Sequence, residues 1–83
     1  MEVFYTRRAA ADLQKLPRTA QRRIAGKMRY FAAQSDPLRF AKRLTNPREG
    51  QFRFRIGDYR VIFDVQGDTI YVLKIAKRDD VYR

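Results

Sequence analysis

Apolar residues follow a helical spacing in the first part of this chain and a strand spacing in the last part. Met1–Tyr5 alternates loosely between polar and apolar residues, which predicts a short strand, and Thr6 is a candidate N-cap for a helix. Four apolar positions then recur at helical spacing: Ala9, Ala10, Leu13 and Leu16. Because Pro17 disfavours helical geometry at the residue before it, the pattern predicts a first helix over residues 6–16.

A second helix is predicted directly after the first, because Pro17 is well tolerated in the first turn of a helix. One face of this helix is apolar and carries Ala20, Ile24, Met28 and Phe31. The two helices are therefore predicted to form a hairpin with one apolar stripe each. Residues 35–50 connect this hairpin to the last part of the chain, and Phe40 and Leu44 are spaced for a helical turn within the connection.

Beyond Gly50 the apolar residues occupy every second position, which is typical of half-buried strands. Residues 52–56 alternate with arginine, and residues 59–65 alternate in the same way after a two-residue turn at Gly57-Asp58. A second turn at 66–69 leads to a third strand from Ile70 to Ile75, whose two faces are both largely apolar, so its register stays open. These three strands are predicted to form an antiparallel meander.

The predicted elements define an α+β fold in a single domain over residues 1–83. The meander and the N-terminal strand form a four-stranded antiparallel sheet, and the helical hairpin packs on one of its faces. A domain of this size buries roughly 60% of the surface that its unfolded chain exposes, which suffices without disulfides. The alternate apolar positions of the hairpin supply the core: Phe52, Phe54, Ile56, Tyr59, Val61 and Phe63.

The opposite face of the predicted sheet carries arginines. With Gly57-Asp58 as a two-residue loop, Arg55 lies opposite Arg60 and Arg53 lies on the same face. Like charges directly opposite each other destabilise a sheet by roughly 0.2–1 kcal/mol, so folding alone gives no reason for this arrangement. Guanidinium groups bind phosphate oxygens through two parallel hydrogen bonds. We therefore expect this surface, called the arginine face below, to bind a phosphodiester.

The composition narrows the chemistry further. The 83 residues include 19 Lys+Arg, 9 Asp+Glu, no His and no Cys, for a net charge of +10. Without His or Cys there is no plausible zinc site and no thiolate nucleophile, so neither a metal nor a cofactor is expected. A folded domain this basic usually binds a polyanion or an acidic partner. No apolar run approaches the ~20 residues of a membrane span, so we expect a soluble, cytoplasmic protein.

Three stretches resemble the RelE/ParE family of toxins: the N-terminal strand and Ala-rich helix with LQKLP, the hairpin FRFRIGDYRVIFDV, and the C-terminal KIAKRDDVYR. The resemblance covers nearly the whole chain in the same order. It implies a cytoplasmic toxin of a type II toxin-antitoxin pair, with a fold similar to small microbial ribonucleases. RelE-like members cut mRNA in the ribosomal A site, whereas ParE-like members inhibit DNA gyrase and lack the catalytic set.

The resemblance also implies a set of catalytic residues. RelE-like toxins place two basic residues on the first hairpin strand, an Arg after the turn, an Arg past the last strand and a Tyr near the end. At these positions the chain has Arg53, Arg55, Arg60, Arg78 and Tyr82, which favours the mRNA-cleaving branch. The two strand positions are often Lys in the family. Arg, unlike Lys, does not lose its proton to act as a general base.

In such metal-independent cleavage the 2′-OH attacks the adjacent phosphorus and leaves a 2′,3′-cyclic phosphate and a free 5′-OH. The three arginines of the face are suited to stabilising the dianionic phosphorane. By the family's pattern Arg78 lies near the leaving oxygen, and Tyr82 either stacks on a base or orients or accepts the 2′-OH proton. The general base stays open: Asp79 and Asp80 are candidates, and balancing the local positive charge is their alternative role.

The other cations are candidates for contacts with ribosomal RNA, or they form a solvated surface. The candidates are Arg22, Arg23, Lys27, Arg39, Lys42, Arg43 and Lys77. The expected partners are the 70S ribosome with its mRNA and an acidic, RelB-like cognate antitoxin. Two other functions stay open, namely a ParE-like gyrase inhibitor without nuclease activity and a non-catalytic basic RNA-binding module.

Overall fold

The chain folds into two helices that pack against one face of a mixed β-sheet, which confirms the predicted α+β class. The computed structural model describes residues 1–46 and 48–77. In this part of the chain the elements are β1 (Glu2–Tyr5), α1 (Arg7–Gln14), α2 (Arg18–Ala32), a 3₁₀ turn (Pro37–Phe40), β2 (Lys42–Arg43), β3 (Phe52–Ile56), β4 (Tyr59–Gln66) and β5 (Thr69–Lys77). Neither of these helices is long and apolar enough to cross a membrane.

The sheet differs from the predicted four-stranded antiparallel sheet at both edges. Within the described residues it has five strands in the order β1-β5-β4-β3-β2, because Lys42 pairs with Arg53 in a short extra strand. The prediction was also wrong about β1, which runs parallel to β5 with Val3 opposite Ile70. A two-residue strand is too short to show an alternation, and the direction of β1 depends on where the helices return the chain. Local sequence patterns contain neither piece of information.

The predicted helical turn through Leu44 is wrong. The 3₁₀ turn ends at Phe40, and Ala41 has extended backbone angles (φ −105°, ψ 160°). The Leu44 N–H donates a hydrogen bond of 2.9 Å to the carbonyl of Gln51. Leu44 therefore extends the pairing between β2 and β3, and Phe40 and Leu44 do not belong to one helical turn.

The hairpin of β3 and β4 has the predicted register. Arg55 lies opposite Arg60, and Arg53 lies opposite Ile62. Gly57 in the turn has a φ of 57°, in the left-handed region that glycine adopts without strain. The hydrophobic and charged alternation therefore specified this hairpin, because a slip of one residue would exchange its two faces.

A bulge in the pairing of β4 and β5 settles the register that the sequence left open. Ile62 lies opposite Lys74, whereas Phe63 lies opposite Val72, so Leu73 is an extra residue in β5. The extra residue shifts the alternation of β5 by one position. As a result Lys74 lies on the arginine face.

The hydrophobic core lies between the helices and the sheet face opposite the arginines. Phe54 at its centre is fully buried. Its ring stacks on Phe31 of α2 at a centroid distance of 4.4 Å and on Phe63 of β4 at 4.3 Å. The predicted apolar stripe of α2 is confirmed, because Ala20, Ile24, Met28 and Phe31 are the residues it buries, together with Ala32.

Helix α1 follows β1 directly and contacts β5 beyond the end of β1. The predicted N-cap is confirmed, since Thr6 Oγ1 accepts a hydrogen bond of 3.2 Å from the Ala9 N–H. Further along the helix, Asp12 Oδ2 accepts a hydrogen bond of 3.1 Å from the Ile75 N–H in β5. This carboxylate therefore satisfies a strand donor that the short β1 does not reach.

Candidate functional site

The arginine face carries a band of positive charge that runs across the strands. Arg53 lies between Lys42 of β2 and Ile62 of β4, and Lys74 of β5 follows Ile62 in the same row. Because adjacent strands are about 4.8 Å apart, this row spans about 14 Å from Lys42 to Lys74. Arg60 and Arg55 form the next row. The structure thus brings together the three predicted arginines and adds a lysine on each side.

Two guanidinium groups of this band are partly withdrawn from solvent without full hydrogen bonding. Arg60 is 9% exposed, and within the described residues the Nε atoms of Arg53 and Arg60 are buried without a hydrogen-bond partner. A guanidinium group stays charged in proteins, and burying a charge is costly unless it is paired. Because these charges are incompletely paired within the described residues, an anion bound at this face would stabilise them, and a phosphate group has the geometry to pair with guanidinium groups.

The segment before β3 crosses the arginine face and closes part of it. A Cβ atom on Gly50 would lie 2.8 Å from Cγ2 of Ile62, and Gly50 has a φ of 149°, so a glycine is required at this crossing. Next to it the Gln51 N–H donates to Asp64 Oδ1 at 2.8 Å, and the Val65 N–H donates to Gln51 Oε1 at 2.9 Å. These contacts explain why Ile62 is buried although it lies on the outer face.

The same segment places Glu49 beside Arg60, with Oε2 at 3.8 Å from Nη2. Two clefts, of about 380 and 440 Å³, lie beside the crossing, and both are lined by Gln51 and Asp64. Neither cleft includes an arginine of the face. The concentration of charge, and not the depth of the surface, therefore marks the candidate site.

Most cations predicted to contact ribosomal RNA lie elsewhere on the molecule. Lys42 joins the arginine face. Arg23 packs at the β3–β4 turn, where a Cβ atom on Gly57 would lie 2.8 Å from its Nη1. Arg22 is exposed on α2, and Lys77 lies opposite Tyr59 at the end of β5.

The other three of these cations contact aromatic rings. Lys27 Nζ lies 5.5 Å from the centroid of the Tyr30 ring, and the guanidinium carbons of Arg39 and Arg43 lie 6.0 and 5.1 Å from the rings of Phe40 and Phe52. Such contacts stabilise exposed cations by about 0.5–1 kcal/mol. The seven predicted residues are distributed over α2, the 3₁₀ turn, β2 and β5, and their contact with ribosomal RNA stays a prediction.

The remaining predicted catalytic residues, Arg78 and Tyr82, lie outside the described residues, as do Asp79 and Asp80. Sequence reasoning missed Lys74 and Glu49. The position of Lys74 could not be predicted because the bulge in β5 interrupts the alternation of that strand. Glu49 stands in a connecting segment without periodicity, and no signal in the sequence pointed to it.

The fold and this face define a class: a small basic α+β protein that carries three arginines and two lysines on one face of its sheet. Within this class the family follows from comparison with known proteins. The profile of the family described as "ParE toxin of type II toxin-antitoxin system, parDE" matches residues 3–82. The chain belongs to this family, and it is a toxin of a type II toxin-antitoxin system of the RelE/ParE type.

The relatives that the chain resembles are named as RelE-type toxins. It is 34% identical to the toxin RelG of Mycobacterium tuberculosis, covering 98% of this chain and 94% of the relative. It is 35% identical to the toxin RelE of the same organism, covering 98% of this chain and 84% of the relative. The solved toxin-antitoxin complex RelBE2 from M. tuberculosis contains a similar chain, with a TM-score of 0.76, 28% identity and coverage of 93% and 90%. The fold of the RelE-type toxins is therefore the fold of this chain.

Proposed function

We propose that this toxin is an endoribonuclease that cuts mRNA in the A site of the ribosome and thereby inhibits translation in the cytoplasm. The observation that carries the proposal is the grouping of Arg53, Arg55 and Arg60 on one face of the β3–β4 hairpin, where Arg55 lies directly opposite Arg60. Three guanidinium groups on one face are suited to binding the oxygens of a phosphodiester. The likeness to the toxins RelG and RelE supports the same choice.

In the proposed reaction the 2′-OH of one nucleotide attacks the adjacent phosphorus and the 5′-oxygen of the next nucleotide leaves. The products are a 2′,3′-cyclic phosphate and a free 5′-OH. Arg53, Arg55 and Arg60 stabilise the dianionic phosphorane, and donors of this kind contribute about 3–4 kcal/mol each. By family resemblance Arg78 assists the leaving 5′-oxygen, and Tyr82 binds a base or the attacking 2′-OH.

The experiment for this proposal compares two substrates of the purified toxin. Messenger RNA paused on the ribosome is expected to be cut well and the same RNA free in solution poorly, because an electrostatic site without a strong base depends on the ribosome to orient the 2′-OH. Equal rates on both substrates, or no cleavage of either, would contradict the proposal.

A second candidate function is inhibition of DNA gyrase without nuclease activity. It is favoured by the description of the matching family, which names the ParE toxin. This function predicts induction of the DNA-damage response after expression of the toxin, with intact messages. Primer extension on a translated message and a damage-response reporter, followed in the same culture, separate the two candidates.

The proposed partner outside the ribosome is an acidic, RelB-like antitoxin. The net charge of +10 favours association with an acidic chain, and the similar chain of the RelBE2 complex is bound to an antitoxin. A short acidic reading frame next to the toxin gene would identify the candidate. Its product is expected to co-purify with the toxin and to suppress the cleavage.

Lys74→Ala is expected to lower the affinity of the toxin for RNA and to make that affinity less sensitive to the salt concentration. If Lys74 contacts one phosphate, the slope of log affinity against log salt falls by about 0.7 in magnitude when it is removed. Fluorescence anisotropy of a labelled single-stranded RNA, titrated at several salt concentrations, measures the slope. Lys15→Ala is the matched control, because Lys15 is exposed at the C-cap of α1, and this helix packs on the sheet face opposite the arginines. Identical slopes for the two variants would exclude a phosphate contact at Lys74.

A further inference from the structure

Glu49 brings a carboxylate to the arginine face. Its Oε2 lies 3.8 Å from Nη2 of Arg60, and the side chain of Glu49 is 43% exposed, whereas that of Arg60 is 11% exposed. At this distance the two groups attract each other without forming a hydrogen bond. The contact therefore leaves both carboxylate oxygens able to accept a proton from a ligand on the same face.

The backbone holds Glu49 in place from both sides. The Glu49 N–H donates a hydrogen bond of 3.2 Å to the carbonyl of Asn46. On the other side Gly50 packs against Ile62, and the Gln51 N–H is bonded to Asp64 at 2.8 Å. The position of the carboxylate thus results from local packing and hydrogen bonds as well as from its ion pair with Arg60.

Other carboxylates near the sheet have structural partners. Asp64 accepts the Gln51 N–H, and Asp12 accepts the Ile75 N–H and pairs with Arg8 at 3.6 Å. Within residues 1–46 and 48–77, Glu49 is the acidic residue that pairs with an arginine of the face. Within these residues Glu49 therefore combines proximity to Arg60 with carboxylate oxygens that accept no hydrogen bond.

We propose that Glu49 is the general base of the cleavage reaction, an inference that rests on the proposed function. The arginines of the face do not release a proton, so another group must accept the proton of the 2′-OH. When a phosphate binds Arg60, it replaces the carboxylate as the counter-charge, and Glu49 is left facing the adjoining ribose.

The proton balance of the step is complete without a cofactor. Glu49 takes the proton of the 2′-OH as the O2′–P bond forms. The P–O5′ bond breaks, and the 5′-oxygen takes a proton from a water molecule. The protonated Glu49 then neutralises the resulting hydroxide, which restores the carboxylate.

This assignment predicts that Glu49→Gln changes binding and cleavage in opposite directions. Removal of the negative charge frees Arg60, so an uncleavable RNA with a 2′-deoxy nucleotide at the cleavage position binds more tightly. Loss of the base slows cleavage by at least about 100-fold. A carboxylate that only shields Arg60 would instead give tighter binding with unchanged or faster cleavage.

The experiment measures single-turnover cleavage of mRNA on paused ribosomes and binding of the 2′-deoxy analogue for four proteins. These are the wild type, Glu49→Gln, Glu49→Asp and, as a matched control, Glu2→Gln at an exposed position of β1. We expect tighter binding and slow cleavage for Glu49→Gln, partial recovery of the rate for Glu49→Asp, and wild-type behaviour for Glu2→Gln.

Cleavage by Glu49→Gln at the wild-type rate would overturn the assignment and leave the proposed function intact. Absence of cleavage by the wild type would instead overturn the proposed function, and the base assignment with it. Thermal unfolding of each variant verifies that the chains are folded. Because Glu49 is 43% exposed, its replacement by the isosteric Gln is expected to leave the fold unchanged.

Discussion

Arg60→Ala is expected to abolish mRNA cleavage. Arg60 is the arginine of the face with the least exposure, and its Nε has no partner within the described residues. If it binds the scissile phosphate, its removal takes away donors aimed at the charge of the phosphorane, which costs about 10²–10³-fold in rate. Primer extension on a translated message after brief induction of the toxin measures this loss, because cuts at codon spacing disappear.

Two variants separate the loss of chemistry from the loss of structure. Arg60→Lys keeps the charge but loses the planar fork that matches a phosphate, so an intermediate rate is expected. Arg18→Ala removes an exposed arginine from the start of α2 and is expected to cut like the wild type. Circular dichroism shows whether each variant is folded. Codon-spaced cuts by a folded Arg60→Ala at the wild-type level would contradict a catalytic role for Arg60.

Phe54→Ala is expected to have the largest effect on stability. Its ring is fully buried between Phe31 and Phe63, with centroid distances of 4.4 and 4.3 Å. The substitution removes the hydrophobic stabilisation that the buried ring contributes and leaves a cavity in the core. Together these effects lower the free energy of unfolding by about 3–5 kcal/mol. That is a large part of the total stability of a small domain. Urea denaturation measures the change, and Phe54→Leu, with a smaller cavity, provides a value if Phe54→Ala does not fold.

Tyr30→Ala is the matched control for this prediction, because Tyr30 lies at the exposed end of the same group of aromatic rings. Its ring centroid is 6.0 Å from that of Phe31, and the residue is 52% exposed. We expect its loss to lower the free energy of unfolding by about 1 kcal/mol or less, since little area leaves the core. Equal effects at Phe54 and Tyr30 would contradict the central place of Phe54 in the core.

The elements that the sequence predicted correctly are those set by local rules. The register of the β3–β4 hairpin follows from a two-residue turn and a strict alternation, so Arg55 was correctly placed opposite Arg60. The N-cap at Thr6 and the apolar face of α2 depend on residues within a few positions of each other. Each of these features is decided by neighbours along the chain.

The errors lie where distant segments meet. The parallel pairing of Val3 with Ile70 joins the two ends of the described chain, and no local pattern contains it. The strand at Lys42 forms because β3 offers an edge, although its own residues have no strand pattern. In β5 the bulge at Leu73 reverses the alternation that a local interpretation would continue.

The candidate site shows the same division. Sequence alone determined that Arg53, Arg55 and Arg60 share one face, because side chains alternate across a strand and the turn specifies the pairing. Only the tertiary structure decided that Lys74 and Glu49 join them. The bulge in β5 places Lys74 on the arginine face. Glu49 lies beside Arg60 because Gly50, the next residue, packs closely against Ile62. The periodicity of apolar residues shows which face of a helix or strand is buried, because it depends only on neighbours along the chain. The set of residues that meet at a site depends instead on contacts between distant elements, and many different loop sequences can produce the same contacts.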